Sequence, residues 1–301
     1  MRIVKLLAVF YVLVACLPIP GYAQGTLNVV ATSSSTGMLV REIAGEHAAL
    51  TILAPPDRDL HTIQARPSMI RALRGADLLL ATGADLEVGW LPVAIRQSAN
   101  PKILPGKPGY FESAAQVELL EKNRPADRSL GDVHPVGNPH ISMDPIRMAR
   151  VAVALAERLA ELHPAAAETF LTRAKAFQAR AERRVAAWQQ QLQGDEGVVT
   201  YHKDVIYLLD RLEVPLLGTI ESTPGVPPTA MEIRTLTGEL KGRTGVVLAT
   251  TYQPAGPSKM VARELGWSVK RLPLEPPLKA DGEAYLGHLD QWVAAITQAG
   301  S

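Results

Sequence analysis

The sequence predicts an α/β protein in which two halves, each built on a parallel sheet, flank one long helix. Two observations predict it. Short apolar runs alternate with segments of helical spacing on both sides of the chain's middle, a rhythm that favours parallel strands covered by helices. Between them, after Pro164, an alanine-, arginine- and glutamine-rich stretch runs on without a helix breaker. At about 28 residues and 1.5 Å per residue, such a helix is ~42 Å long, enough to cross a domain. Its apolar positions do not hold a heptad for long, so a coiled coil is disfavoured.

The first 23 residues stand apart from the fold. Arg2 and Lys5 precede an apolar run over residues 6–18, and Gly21-Tyr22-Ala23 supplies small residues for cleavage. This is the pattern of a secretory signal, and the run is too short to span a bilayer stably. Leu13-Val14-Ala15-Cys16 resembles a lipobox, so a lipoprotein anchored through Cys16 is the alternative to a periplasmic product starting near Gln24. Cys16 is the chain's one cysteine. A transition-metal site in the mature body must therefore be built from imidazole and carboxylate.

Residues 24–144 form the first lobe. Leu27–Ala31 (LNVVA) reads as a strand, residues 37–44 as a helix, 50–53 as a strand, 67–73 as a helix and 76–82 (ADLLLAT) as a buried strand. A helix over 90–97 and a strand over 102–104 continue the alternation, and residues 107–138, rich in Pro, Gly and charge, read mostly as loop. Residues 145–193 are helical: Asp144-Pro145 is a cap followed by a first-turn proline, and Pro164 divides the segment in two. Residues 194–301 form the second lobe. Strands are expected over 198–201, 216–220, 245–250 and 269–272, with helices over 205–212, 228–240, 257–265 and 282–299.

A net charge of +1 with 20% charged residues gives no reason to expect nucleic acid as a partner. Seven histidines remain to be explained. His47, His163 and His288 lie in or beside helices and read as solvated surface, whereas His61, His140 and His202 fall where an open α/β sheet presents its binding loops. Three such histidines spread over both halves point to a site between them.

The segments around these three carry a resemblance. Asp59-Leu60-His61-Thr62-Ile63-Gln64-Ala65-Arg66-Pro67, Gly137-Asn138-Pro139-His140-Ile141-Ser142-Met143-Asp144-Pro145, Thr200-Tyr201-His202-Lys203-Asp204 and Glu221-Ser222-Thr223-Pro224-Gly225-Val226-Pro227-Pro228 occur in order. Together they resemble the zinc and manganese substrate-binding proteins of ABC importers, over essentially the whole mature chain. The resemblance implies two Rossmann-like lobes with parallel sheets joined by one long rigid helix. It also implies a metal ion held by His61, His140, His202 and a carboxylate in the last loop. That carboxylate is Glu275, with Asp281 as the alternative, and His134 offers accessory metal capture. The family often has a glutamate at the position of His202 where manganese is carried, so Zn2+ is the expected cargo and manganese the alternative. An ABC importer permease is the implied partner, a metallochaperone a further one, and the protein is expected to be a monomer and no enzyme. The competing readings are a secreted zinc hydrolase, for which no HExxH helix is present, and a carrier of organic solutes or an adhesin. Protons are expected to compete with the metal below about pH 6.5.

Overall fold

The computed structural model describes residues 25–122, 134–192, 197–223 and 225–297. The first 24 residues, read above as a signal sequence and including Cys16, and part of the 107–138 segment lie outside them. The first lobe contains β1 (Leu27–Ala31), α1 (Ser34–Ile43), β2 (Ala48–Ile52), α2 (Pro67–Arg74), β3 (Leu78–Ala81), α3 (Leu91–Ser98) and β4 (Tyr110–Glu112). All strands are parallel in the order β2-β1-β3-β4, with Val29 lying between Leu50 and Leu78. Two helices follow, α4 (Pro145–Leu162) and α5 (Ala167–Gln191). The second lobe contains β5 (Gly197–Thr200), α6 (Ile206–Arg211), β6 (Leu216–Thr219), α7 (Ala230–Glu239), β7 (Gly245–Thr250), α8 (Ala255–Leu265), β8 (Ser268–Leu272) and α9 (Gly282–Thr297). Its sheet, again parallel, has the order β6-β5-β7-β8.

Local chemistry sets the boundaries. Ser33 and Thr36 form a reciprocal capping box that starts α1 three residues earlier than the hydrophobic pattern alone suggests. Asp144 accepts a hydrogen bond from the Ile146 amide (2.9 Å), and Pro145 occupies the first turn of α4. Along α5 the buried residues are Phe170, Ala174, Phe177, Ala181, Val185 and Trp188. Their spacing of four and three residues marks one continuous apolar stripe, on a helix about 37 Å long.

One hydrophobic core runs through the molecule. Val29 and Leu78 of the first sheet, Phe170 and Phe177 of α5, Val198 and Val246 of the second sheet and Trp292 of α9 belong to the same buried cluster. Each lobe adds a smaller cluster on its outer face. The long helix is thus packed against both halves, and its burial resists wide separation of the lobes. Among the described residues no helix is long and apolar enough to cross a membrane.

Two expectations need correction. Residues 102–104 do not form a strand: Asn100 caps a 3-10 turn over Pro101–Ile103, and the fourth strand is Tyr110–Glu112, inside the segment read as loop. It pairs with β3 through Tyr110 and Phe111. His163 and His288 are not solvated surface either, being 5% and 4% exposed. His163 ends α4 against the rings of His47 and Phe170. His288 shares the inward face of α9 with Tyr285, Leu289 and Trp292 and donates from Nε2 to the Leu274 carbonyl (3.1 Å).

Candidate metal centre

The carboxyl ends of both sheets open onto the same cleft, as open α/β sheets present their ligands. His61 follows β2 on a 3-10 turn, and Asp59 caps that turn through a hydrogen bond to the His61 amide. The same carboxylate takes the imidazole Nδ1 at 2.7 Å, leaving Nε2 directed into the cleft. His202 follows β5 and is held in the same manner, Nδ1 to Glu221 Oε2 at 2.8 Å, with Glu221 placed just beyond β6. A carboxylate on one imidazole nitrogen fixes the tautomer and leaves the other nitrogen's lone pair free for a cation.

His140 is placed by a longer chain of contacts. Gly137 turns the loop with φ +130°, and a Cβ there would meet Leu119 Cβ at 2.6 Å, so only glycine fits. Asn138 Oδ1 then accepts from the His140 amide (2.9 Å), while the Asn138 carbonyl accepts from the Tyr207 hydroxyl (2.6 Å). Asn138 Nδ2 donates to the Lys203 carbonyl of the second lobe (3.1 Å). His140 itself is 4% exposed, and its Nε2 has no hydrogen-bond partner.

These contacts bring the three imidazoles together. Ring centres lie 5.4 Å apart for His61 and His140, 5.7 Å for His140 and His202, and 6.2 Å for His61 and His202. Imidazoles that share one zinc ion at about 2.0–2.1 Å per bond have centres roughly 5 Å apart. The observed triangle is within about an ångström of that arrangement. His134 joins it: its Nε2 lies 3.0 Å from Nε2 of His61.

The carboxylates differ in placement. Glu275, 6% exposed, lines a small chamber with His61 and His140, and its Oε2 accepts from the Ser35 amide and hydroxyl at 2.7 and 2.8 Å. Its loop is fastened by α9, since His288 and Trp292 donate to the carbonyls of Leu274 and Pro273. Asp281 is exposed and accepts from the Ala284 amide (2.9 Å), capping α9 away from the imidazoles. Asp204, absent from the sequence-based ligand set, is 3% exposed, and among the described residues His140, His202 and Asp204 offer ligand atoms within 4.8 Å of one another. Its signal in the sequence was a carboxylate two residues after a candidate ligand. Asp59 and Glu221 were likewise visible in the motifs but had no role until their contacts appeared.

Electrostatics divide the imidazoles. Burial, aided by the neighbouring histidines, pushes His140 well below the ordinary histidine range, so it is a neutral donor. Burial also works against protonation of His202, but the charges of Asp204 and Glu221 outweigh it and raise its pKa. Burial raises the Asp204 and Glu275 carboxyls. The same effect on Asp59 is overcome by its bonds to His61, which lower it. A cavity of about 640 Å³ lined by Asp59, His61, His202, Asp204, Glu221 and Tyr252 connects this group to the outside.

Comparison with known proteins agrees with this picture. The chain is 23% identical over 282 residues to the high-affinity zinc uptake system protein ZnuA of Yersinia pestis, covering 87% of this chain and 88% of that protein. A crystal structure of ZnuA superposes with a TM-score of 0.75 at 21% identity, covering 92% of this chain and all of the other. The substrate-binding protein FpvC from Pseudomonas aeruginosa, in complex with Mn2+, gives 0.72 at 22% identity over 91% of this chain and 100% of its own. The two-lobed fold with a long connecting helix is shared with these structures. The family model for the zinc-uptake complex component A, periplasmic, matches residues 29–299. That family supplies substrate-binding proteins to ABC importers and is not a family of enzymes. By a match that spans residues 29–299 of its 301, this protein belongs to the periplasmic zinc-uptake component A (ZnuA) family of metal-importer binding proteins.

Proposed function

We propose that this protein captures Zn2+ outside the cytoplasm and delivers it to the permease of an ABC importer. The ion is held by His61, His140 and His202, with a carboxylate, Glu275 in the family pattern, as the fourth donor. The observation that carries the reading is the convergence of three imidazoles, two held at Nδ1 by Asp59 and Glu221 and the third buried with an unpartnered Nε2. Zinc accepts such nitrogen-rich sets, whereas manganese favours more oxygen. His134, against His61, meets incoming metal first. The signal sequence exports the chain to the periplasm, with a lipid on Cys16 as the alternative. A metallochaperone is a further candidate partner, and the protein acts as a monomer.

Because His61 and His140 belong to the first lobe and His202 to the second, the ion is a cross-link between lobes. Packing of α5 against both halves favours small tilts over wide opening on release.

Manganese is the second reading, favoured by the Mn2+ complex of FpvC, a structural relative. The deciding experiment is metal analysis of protein purified from the periplasm, for the wild type and for His61→Ala, His140→Ala, His202→Ala and Glu275→Ala. Zinc at one per wild-type chain, with more than about a hundred-fold weaker binding in each histidine variant, is the expected result. Undiminished zinc in all four variants defeats the site, and manganese in the wild type defeats the metal.

A further inference from the structure

Among the described residues, Asp204 groups with two of the three imidazoles, His140 and His202, as a potential co-ligand. It lies on the 3-10 turn Lys203–Val205 directly after His202, so one turn of the second lobe presents an imidazole and a carboxylate side by side. Its Oδ1 stands 3.6 Å from His140 Nε2 across the lobe boundary. That distance is too long for a hydrogen bond. Yet both groups are nearly fully buried, and the His140 nitrogen has no other partner. Two buried donors that face each other at this separation, without bonding, match the edge of a coordination polyhedron. Ligands at about 2.0–2.2 Å from one ion in tetrahedral array are roughly 3.3–3.6 Å apart.

The rest of the Asp204 carboxylate is anchored for such a task. Oδ2 accepts from Gln253 Nε2 at 2.6 Å, and the Tyr252 hydroxyl lies 3.3 Å from Oδ1. Gln253 is in turn fixed by the Thr250 amide, which donates to its Oε1 at 2.8 Å. The carboxylate is thus anchored through Oδ2 and, by a long bond from Tyr252, through Oδ1, which also faces His140; supporting hydrogen bonds of this kind are those that metal ligands carry. Glu275 lines a separate small chamber with His61 and His140.

We propose that Asp204 Oδ1 coordinates the transported ion directly, as an oxygen donor additional to the three histidines and Glu275. This rests on the metal-carrier reading above. Three nitrogens and two carboxylates allow five-coordination, which extends the cargo toward cations that want more oxygen, Mn2+ foremost. The site is then a zinc site with room for manganese, and Asp204 is the residue that sets the ratio.

The test uses the mature protein with Zn2+, Mn2+ and Co2+ as probes, comparing wild type, Asp204→Asn and Glu275→Gln. Affinities come from chelator competition, coordination number from the visible absorption of the Co2+ form, and folding from thermal melts. Asp204→Asn is expected to weaken Mn2+ at least about tenfold more than Zn2+ and to intensify the Co2+ bands severalfold, as coordination falls toward four. A merely structural role in the Gln253–Tyr252 network would move neither the metal ratio nor the Co2+ spectrum. Wild-type ratio and spectrum in a folded Asp204→Asn protein overturn the proposal while the carrier reading stands. A wild type that takes up no metal ends both. Should the variant fail to fold, a crystal structure of the zinc-loaded wild type decides. Asp204 Oδ1 at about 2.0–2.2 Å from the ion supports the assignment, and an oxygen more than about 3 Å away refutes it.

Discussion

Counted from each lobe's first strand, the two sheets have the same order, β2-β1-β3-β4 and β6-β5-β7-β8. Equivalent loops can therefore be compared directly. After the first strand, the N-terminal lobe presents the start of α1, whose Ser35 binds Glu275 of the other lobe, while the C-terminal lobe presents His202 and Asp204. Behind the second strand the pair is His61 against Glu221, and beyond the fourth it is His140 against Glu275. One lobe thus offers mainly imidazoles, and the other offers one imidazole among three carboxylates. The same scaffold has been given two electrostatic characters, and the dication proposed above would have its charge offset from one side and its remaining bonds supplied by the other.

The largest effect is expected where the lobes are tied independently of the metal. Asp144, fully buried at the start of α4, accepts from Arg147 Nη1 (2.6 Å) and from Arg211 of α6 (2.8 and 3.1 Å). Asp144→Ala leaves two guanidiniums without their carboxylate and should cost about 3–5 kcal/mol of stability, read as a lower denaturant midpoint. A change below about 1 kcal/mol would show that the lobes are held by the apolar core alone.

Next come the residues that orient the imidazoles. Glu221→Gln and Asp59→Asn should each weaken zinc about 10–100-fold without altering stoichiometry, because tautomer and ring angle are no longer fixed. Equal losses in the two variants would mean that the lobes share the orienting task evenly. A loss in only one assigns it to that lobe.

Titration separates the histidines. His202 has a raised pKa, so it carries a proton above the pH at which a free histidine would release it, and an incoming metal must displace that proton. Zinc affinity should therefore begin to fall while the pH is still above about 6.5, by up to about tenfold per unit. His140, with its pKa lowered, stays neutral over that window and adds its own proton only in stronger acid. The onset lies higher than the sequence suggested, and calorimetric proton counts across pH check it. In Glu221→Gln the onset should move down.

A smaller effect is expected from Tyr207→Phe. The hydroxyl donates to the Asn138 carbonyl and accepts from the Leu120 amide (3.0 Å), holding the His140 loop from the second lobe. Its loss should cost about 1 kcal/mol in thermal stability and modestly weaken zinc binding. Unchanged binding would show that Gly137 and Asn138 shape the loop unaided.

Much of this was legible in the chain itself. Apolar periodicity and helix-breaking prolines placed α4 at its observed bounds and β7 at its own, since both signals are local. The loops bearing His61, His140 and His202 followed from the same alternation of strand and helix. The short edge strand β4 was missed because three residues carry too little periodicity to stand out from a Pro- and Gly-rich loop. His288 was misjudged because the inward face of α9 is decided by what packs on it.

Legible from the chain were the order of elements, a single cysteine at position 16 and three imidazoles poised at loop positions. Which groups meet emerged only on folding. Asp59 and Glu221 became orienting partners, Asp204 joined His140 and His202, and Asp281 withdrew to a helix cap. The physical reason is range. Strand and helix signals come from neighbours within a few residues, whereas a metal centre is assembled from groups dozens of positions apart. Their distances are set by the packing of two sheets around one buried helix.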